Sequence, residues 1–120
     1  MKHIIVCIVV AVIGFSFAPH CYGESVTVDF YQSQINSKKQ TEVLLMKNYV
    51  RGVLDGTAWA NADLVMSNKK PLYCQPENFA LSTSNAIQII DQKIKSTSPK
   101  KDLPIGMLLL LGLEETFPCK

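Results

Sequence analysis

Cysteine, histidine and carboxylate are the side chains in this 120-residue chain that could do chemistry, and their positions decide which chemistry is open to it. His3, His20, Cys7 and Cys21 all fall in the first 21 residues, while Cys74 and Cys119 stand in the body of the chain. Lys2 and His3 precede an apolar run from Ile4 to Ala18 and then a short polar stretch, which is the pattern of a secretory signal peptide. Cys21 and Gly23 supply the residues at minus three and minus one, so cleavage is expected after Gly23, with residues 1–23 as signal and 24–120 as one small domain. The apolar run falls short of the ~20 residues that span a bilayer, so no membrane association is expected once the signal is removed.

With that segment gone, no histidine remains. Ser-His and Cys-His nucleophilic pairs and imidazole metal sites then have no base or ligand. No Gly-rich phosphate loop or Cys-x-x-Cys takes their place. An even pair of cysteines in a small exported domain is expected to form a disulfide, here Cys74 with Cys119; a free thiol would need a base or a metal beside it. Carboxylates are the remaining catalytic candidates, as pairs that could flank a glycosidic bond. Asp55 and Asp63 lie two helical turns apart, and adjacent Glu114 and Glu115 diverge on a helix, so both pairs read as solvated helix faces. The expectation is a protein that is not an enzyme and uses no cofactor or metal. Residues 24–120 hold 11 basic side chains (12 less Lys2) against 10 acidic ones, and that balance offers nothing to a nucleic acid.

The elements that must position these residues are helical. Ser37 and Gln40 in "SKKQ" form a capping box, from which an amphipathic helix is expected to run to about Met66. Val43, Met46, Val50, Val53, Thr57, Ala60 and Leu64 recur at three-to-four spacing and define its inner face. Gly52, Gly56 and Ala60 follow at i, i+4, i+8, which predicts close approach of another backbone, with a neighbouring helix first in line and Trp59 as a core anchor. Residues 67–78 read as a loop carrying Cys74. Ser82 or Ser84 caps a further helix with Ala86, Ile87, Ile90 and Ile94 inward. "STSPKKD" (96–102) is a polar break, and Pro104 suits the first turn of a last helix, "IGMLLLLGL", apolar all round. That helix fills the core of a monomer or, through Leu108 to Leu111, an interface between two copies. Residues 26–36 fit a strand or a helix; with no second strand to pair with, a short helix is favoured. The fold class is all-α, a small domain of three to four helices stapled by one disulfide.

Four stretches in order, "YVRGVLDG" (49–56), "YCQPEN" (73–78), "LSTSNAIQIIDQKI" (81–94) and "EETFPC" (114–119), resemble the amidase immunity proteins of type VI secretion, the Tai family. The match covers residues 43–119. It departs from the family in having no cysteine between residues 24 and 73, where many relatives carry a further pair, and in "STSPKKD" where a His-Pro turn is the rule. The resemblance implies a periplasmic binding protein that blocks an injected peptidoglycan amidase, with that effector as its partner and, in several members, a homodimer as its assembly. A loop that enters the enzyme's cleft is then expected, and two qualify: residues 67–78 with Asn68, Lys69 and Glu77, and residues 96–103. The second is favoured for its small polar tip, with Ser96, Ser98, Lys100, Lys101 and Asp102 as contact residues. The competing reading is a periplasmic stress chaperone that exposes residues 105–113 in acid, or another helical binding protein with no secretion-system role. A carboxylate-only glycan hydrolase is a distant third.

Overall fold

In the computed structural model, residues 25–120 are described, and they form four helices. These are α1 (Val28–Ile35), α2 (Gln40–Met66), α3 (Thr83–Thr97) and α4 (Ile105–Thr116). The expected signal peptide and its cleavage after Gly23 lie outside the described residues. Among the described residues no helix is long and apolar enough to cross a membrane.

α2 is the spine, about 40 Å long at 1.5 Å per residue. It does not start on a Ser37 capping box. The Ser37 hydroxyl accepts from the Lys39 N–H at 3.1 Å and donates to Glu42, so Glu42, rather than Gln40, reaches back. Those bonds, with Lys39 beside it, hold the Glu42 carboxyl below its usual range. At the far end Asn68 takes a left-handed φ of 54° and the Lys69 N–H donates to the Leu64 carbonyl at 2.8 Å, which stops the helix. Its buried face is Met46 and Val50 of the expected stripe together with Leu54, which was not in it, while Val53 only borders the core and Ala60 faces solvent.

α1 packs on α2, and α3 and α4 pack on each other and against α2. α3 begins on a reciprocal capping box between Ser82 and Asn85. α4 follows Pro104 and buries Ile105, Leu108, Leu109, Gly112 and Leu113. Of Leu108 to Leu111, Leu108 and Leu109 are therefore core of the single chain, Leu110 is half-buried and Leu111 is exposed. Together with Val28, Tyr31, Tyr73, Ala86, Ile89 and Ile90 they make one continuous core. Where α4 crosses α3 the contact needs glycine: a Cβ on Gly112 would overlap Ile89 Cγ2 and come within 3.3 Å of Lys93 Cγ.

Tyr31 is fully buried, and its hydroxyl donates to Asp91 Oδ1 at 2.9 Å, which ties α1 to α3. Burial first, and the Asp91 charge and hydrogen bond after it, raise the Tyr31 phenol well above its ordinary 10.0. The fold thus holds the neutral phenol. Stability is complete below pH 10 and falls as the pH climbs past it, because the unfolded chain ionises first. Buried Tyr73 is shifted in the same direction by desolvation. Urea midpoints measured from pH 8 to pH 11 are expected to fall more steeply for the native chain than for Tyr31→Phe; equal slopes would remove Tyr31 as the cause.

The small-residue stripe of α2 differs most from expectation. Gly52, Gly56 and Ala60 are exposed, and a Cβ built on Gly52 or Gly56 would meet nothing within 4 Å. No helix among the described residues lies against them. Trp59, expected as a core anchor, is 73% exposed. Helical glycine is less stable than alanine by roughly 0.5–1 kcal/mol, so Gly52→Ala and Gly56→Ala should each stabilise the monomer by about that much in urea unfolding at high dilution.

Candidate functional site

The connector between α3 and α4 is shaped by the ends of both helices. The Ser96 and Thr97 hydroxyls donate back to the Lys93 carbonyl at 3.3 and 2.7 Å, so both residues belong to the last turn of α3 and not to the loop. Ser98 closes the helix with a left-handed φ of 43°, donating its N–H to the Ile94 carbonyl at 3.1 Å. The chain then turns through a Leu103 N–H to Lys100 carbonyl bond of 3.1 Å. The free segment is thus 98–104.

It is fastened from the other side by the entry to α1. The first amides of a helix have no partner within it. In α1 two of them find one in the connector: the Val28 N–H donates to the Leu103 carbonyl at 2.9 Å and the Asp29 N–H to the Lys101 carbonyl at 3.0 Å. The Ile105 N–H returns a bond to the Val26 carbonyl at 2.9 Å, and Thr27 pairs antiparallel with Pro104. This pairing resolves the ambiguity of residues 26–36, which hold one extended step at Thr27 followed by the short helix α1. The Lys101 ammonium lies 3.5 Å from Asp29, an exposed pair worth about 0–1 kcal/mol at most. The backbone is therefore locked while the side chains of Ser98, Lys100, Lys101 and Asp102 stand in solvent.

The second loop is a separate structural clamp. Asn61 of α2 donates to the Tyr73 carbonyl at 3.0 Å and accepts from the Leu72 and Tyr73 N–H groups at 2.7 and 3.3 Å. Tyr73 is buried beneath it. Cys74 is joined to Cys119, with Cα atoms 4.9 Å apart, and its N–H donates to the Phe117 carbonyl at 2.8 Å. Phe79 and Phe117 face each other at 5.7 Å, and the Gln75 side-chain amide donates to the Phe79 carbonyl. "YCQPEN" and "EETFPC" thus meet as one unit, and Asn61, five residues past "YVRGVLDG", ties that unit to the spine. Sequence gives no sign of this role, since a helical asparagine carries no local mark of a partner 11 or 12 residues on; in the fold Asn61 is half-buried.

The carboxylates do not converge. Arg51 pairs with Asp55 at 3.1 Å, and Lys93 with Glu115 at 2.6 Å. Asp63 is exposed one face along α2. Asp91, overlooked in the sequence, is engaged by Tyr31. Among the described residues no three His, Cys, Asp or Glu side chains gather in a metal-binding arrangement. A surface pocket of about 600 Å³ beside the α1 entry is lined by Ser25, Val26, Thr27, Phe30 and Tyr49, and its only polar side chains are hydroxyls. No protein-family model, curated protein or solved structure matches the chain.

Proposed function

We propose that the chain is a periplasmic immunity protein that binds and blocks a peptidoglycan amidase delivered by type VI secretion, with segment 98–104 entering the enzyme's cleft. The observation that carries this reading is the double anchoring of that segment. A loop ordered in advance spares the complex the ordering of side chains and backbone, about 0.5–1.5 kcal/mol for each immobilised side chain. Here four backbone bonds to residues 26–29 and to the Lys100 turn do the ordering before any partner arrives. The exposed tip carries two ammonium groups, a carboxylate and a hydroxyl, which supply donors and an acceptor within seven residues. Disulfide formation fits an oxidising compartment such as the periplasm. The ordered stretches of the resemblance support the family assignment, since two of them assemble into the disulfide-linked clamp that keeps the scaffold rigid.

The reading is tested in cells. Periplasmic delivery of a peptidoglycan amidase whose gene adjoins that of this chain should kill a susceptible host, and coexpression of the full chain should restore growth. Absence of rescue against any adjacent effector sinks the proposal.

A further inference from the structure

We propose that the Cys74–Cys119 bond is a thiol-exchange site, at which a dithiol reductant attacks Cys74, expels Cys119 and frees residues 117–120 while the rest of the fold stays in place. The inference rests on the clamp around the bond and is independent of the immunity reading. The two sulfurs stand in unlike surroundings. Cys74 is exposed, whereas Cys119 is half-buried, with its Sγ 3.9 Å from the Pro71 carbonyl oxygen. A thiolate must approach a disulfide along the line of the bond, so access decides which sulfur it reaches. Cys74 is the open one. Lys70 precedes Pro71 and Lys120 follows Cys119; both are exposed, and among the described residues neither is paired with a carboxylate. Their charge favours an incoming thiolate, opposed within the 67–78 loop only by Glu77.

The chemistry balances as two exchanges. In the first, the reductant's thiolate bonds to Cys74 Sγ as the Cys74–Cys119 bond breaks, and the electron pair leaves on Cys119 Sγ, which takes a proton from water. In the second, the reductant's other thiolate attacks its own sulfur in the mixed disulfide, closing the reductant's disulfide and releasing Cys74 as a thiolate. Two electrons pass from the dithiol to the protein.

What is set free follows from unequal anchoring. On the Cys74 side, the Leu72 and Tyr73 N–H groups donate to Asn61, the Asn61 amide donates to the Tyr73 carbonyl, and the Tyr73 ring is buried. None of these contacts involves the disulfide. On the Cys119 side, past the Phe117 N–H that closes α4 on the Leu113 carbonyl, the chain is held by the Cys74 N–H to Phe117 carbonyl bond and by the half-buried Phe117 ring. Once free, Phe117 leaves Phe79, Leu81 and Ile89, with which it bounds a cavity of about 150 Å³, and that apolar surface meets water. The bond thus lets the thiol poise of the surroundings set one end of the fold.

Glutathione, a monothiol that carries no second thiol to complete the exchange, traps the first step. The oxidised full chain treated briefly with it and quenched with iodoacetamide should carry glutathione on Cys74 and the alkyl group on Cys119, about tenfold or more over the reverse arrangement by peptide mapping. Equal yields, or glutathione mainly on Cys119, overturn the assigned direction of attack. In dithiothreitol at low temperature the chain should keep its helical circular dichroism. Hydrogen exchange should then show the Cys74 N–H unprotected while the Leu72 and Tyr73 N–H groups stay protected. A Cys74 N–H that remains protected, loss of Leu72 and Tyr73 protection along with it, or collapse of the helical signal overturns release of the chain end as a separate unit. Failure of dithiothreitol to reduce the folded chain overturns the inference as a whole.

Discussion

Replacing Cys74 and Cys119 together by alanine is expected to lower stability by about 4 kcal/mol, because the bond closes a 45-residue separation and so restricts the unfolded chain. Against the ~5–15 kcal/mol that holds typical native domains, that loss is a large fraction. For a domain of this size it corresponds to a fall in melting temperature of roughly 15–30 °C. The native contacts around the bond are not sufficient to replace it. Asn61 and buried Tyr73 hold the Cys74 stretch to the spine without the cross-link, whereas the end of the chain is then left to the Cys74 N–H to Phe117 carbonyl bond and the contact of Phe117 with Phe79. Thermal unfolding with and without reductant checks the native chain, and the double alanine variant should match its reduced form. A drop of less than about 1 kcal/mol would show that packing alone secures the chain end.

Gly112→Val is expected to be nearly as damaging, about 3 kcal/mol, and for a different reason. At Gly112 any Cβ overlaps Ile89 Cγ2, and Ile89 is β-branched, with little freedom at χ1 to swing away. Lys93, the next neighbour, is held by Glu115 on α4 itself. The two helices must separate to accept the side chain, which opens the core at Leu109 and Leu113. Gly112→Ala carries the same clash with less bulk and gains helix propensity of about 1 kcal/mol, so its net loss is smaller, about 1 kcal/mol. The same glycine-to-alanine change at Gly52 stabilises. The sign follows from what each Cβ meets. Ile89→Ala should partly rescue Gly112→Val in a double-mutant cycle measured by urea unfolding, and strict additivity of the two losses would place the strain elsewhere.

The three later helices, their order and approximate ends were readable from caps and periodicity because those signals are local: Ser82 or Ser84 ahead of the isoleucines of α3, and Pro104 before Ile105. The cysteine pair was readable by counting. What periodicity could not fix was the rotation of α2. Its apolar and small residues run nearly all the way round, so Met46 and Val50 were read correctly as inward, while the choice beyond them between Leu54 and the Val53–Ala60 side depends on what packs there. Trp59 was misplaced for the same reason, since a tryptophan beside glycines looks alike in a core and on an exposed helix face. The limits of the candidate loop moved as well. Ser96 and Thr97 satisfy carbonyls of their own helix, a bond invisible until the helix end is known. The partner that orders the loop, residues 26–29, lies some seventy positions earlier in the chain, and nothing in either segment alone announces the pairing.

The central claim is that segment 98–104 is the inhibitory element, and peptidoglycan hydrolysis by an amidase against which coexpression of this chain protects cells tests it most directly. The native chain should stop hydrolysis when one copy is present per enzyme molecule. Lys100→Ala, Lys101→Ala and Asp102→Ala combined should leave the fold intact, since the anchoring bonds run through backbone, and should weaken inhibition by about 100-fold or more if this tip holds the binding hot spot. Equal inhibition by the native chain and the triple variant, or no inhibition by either, would contradict the account.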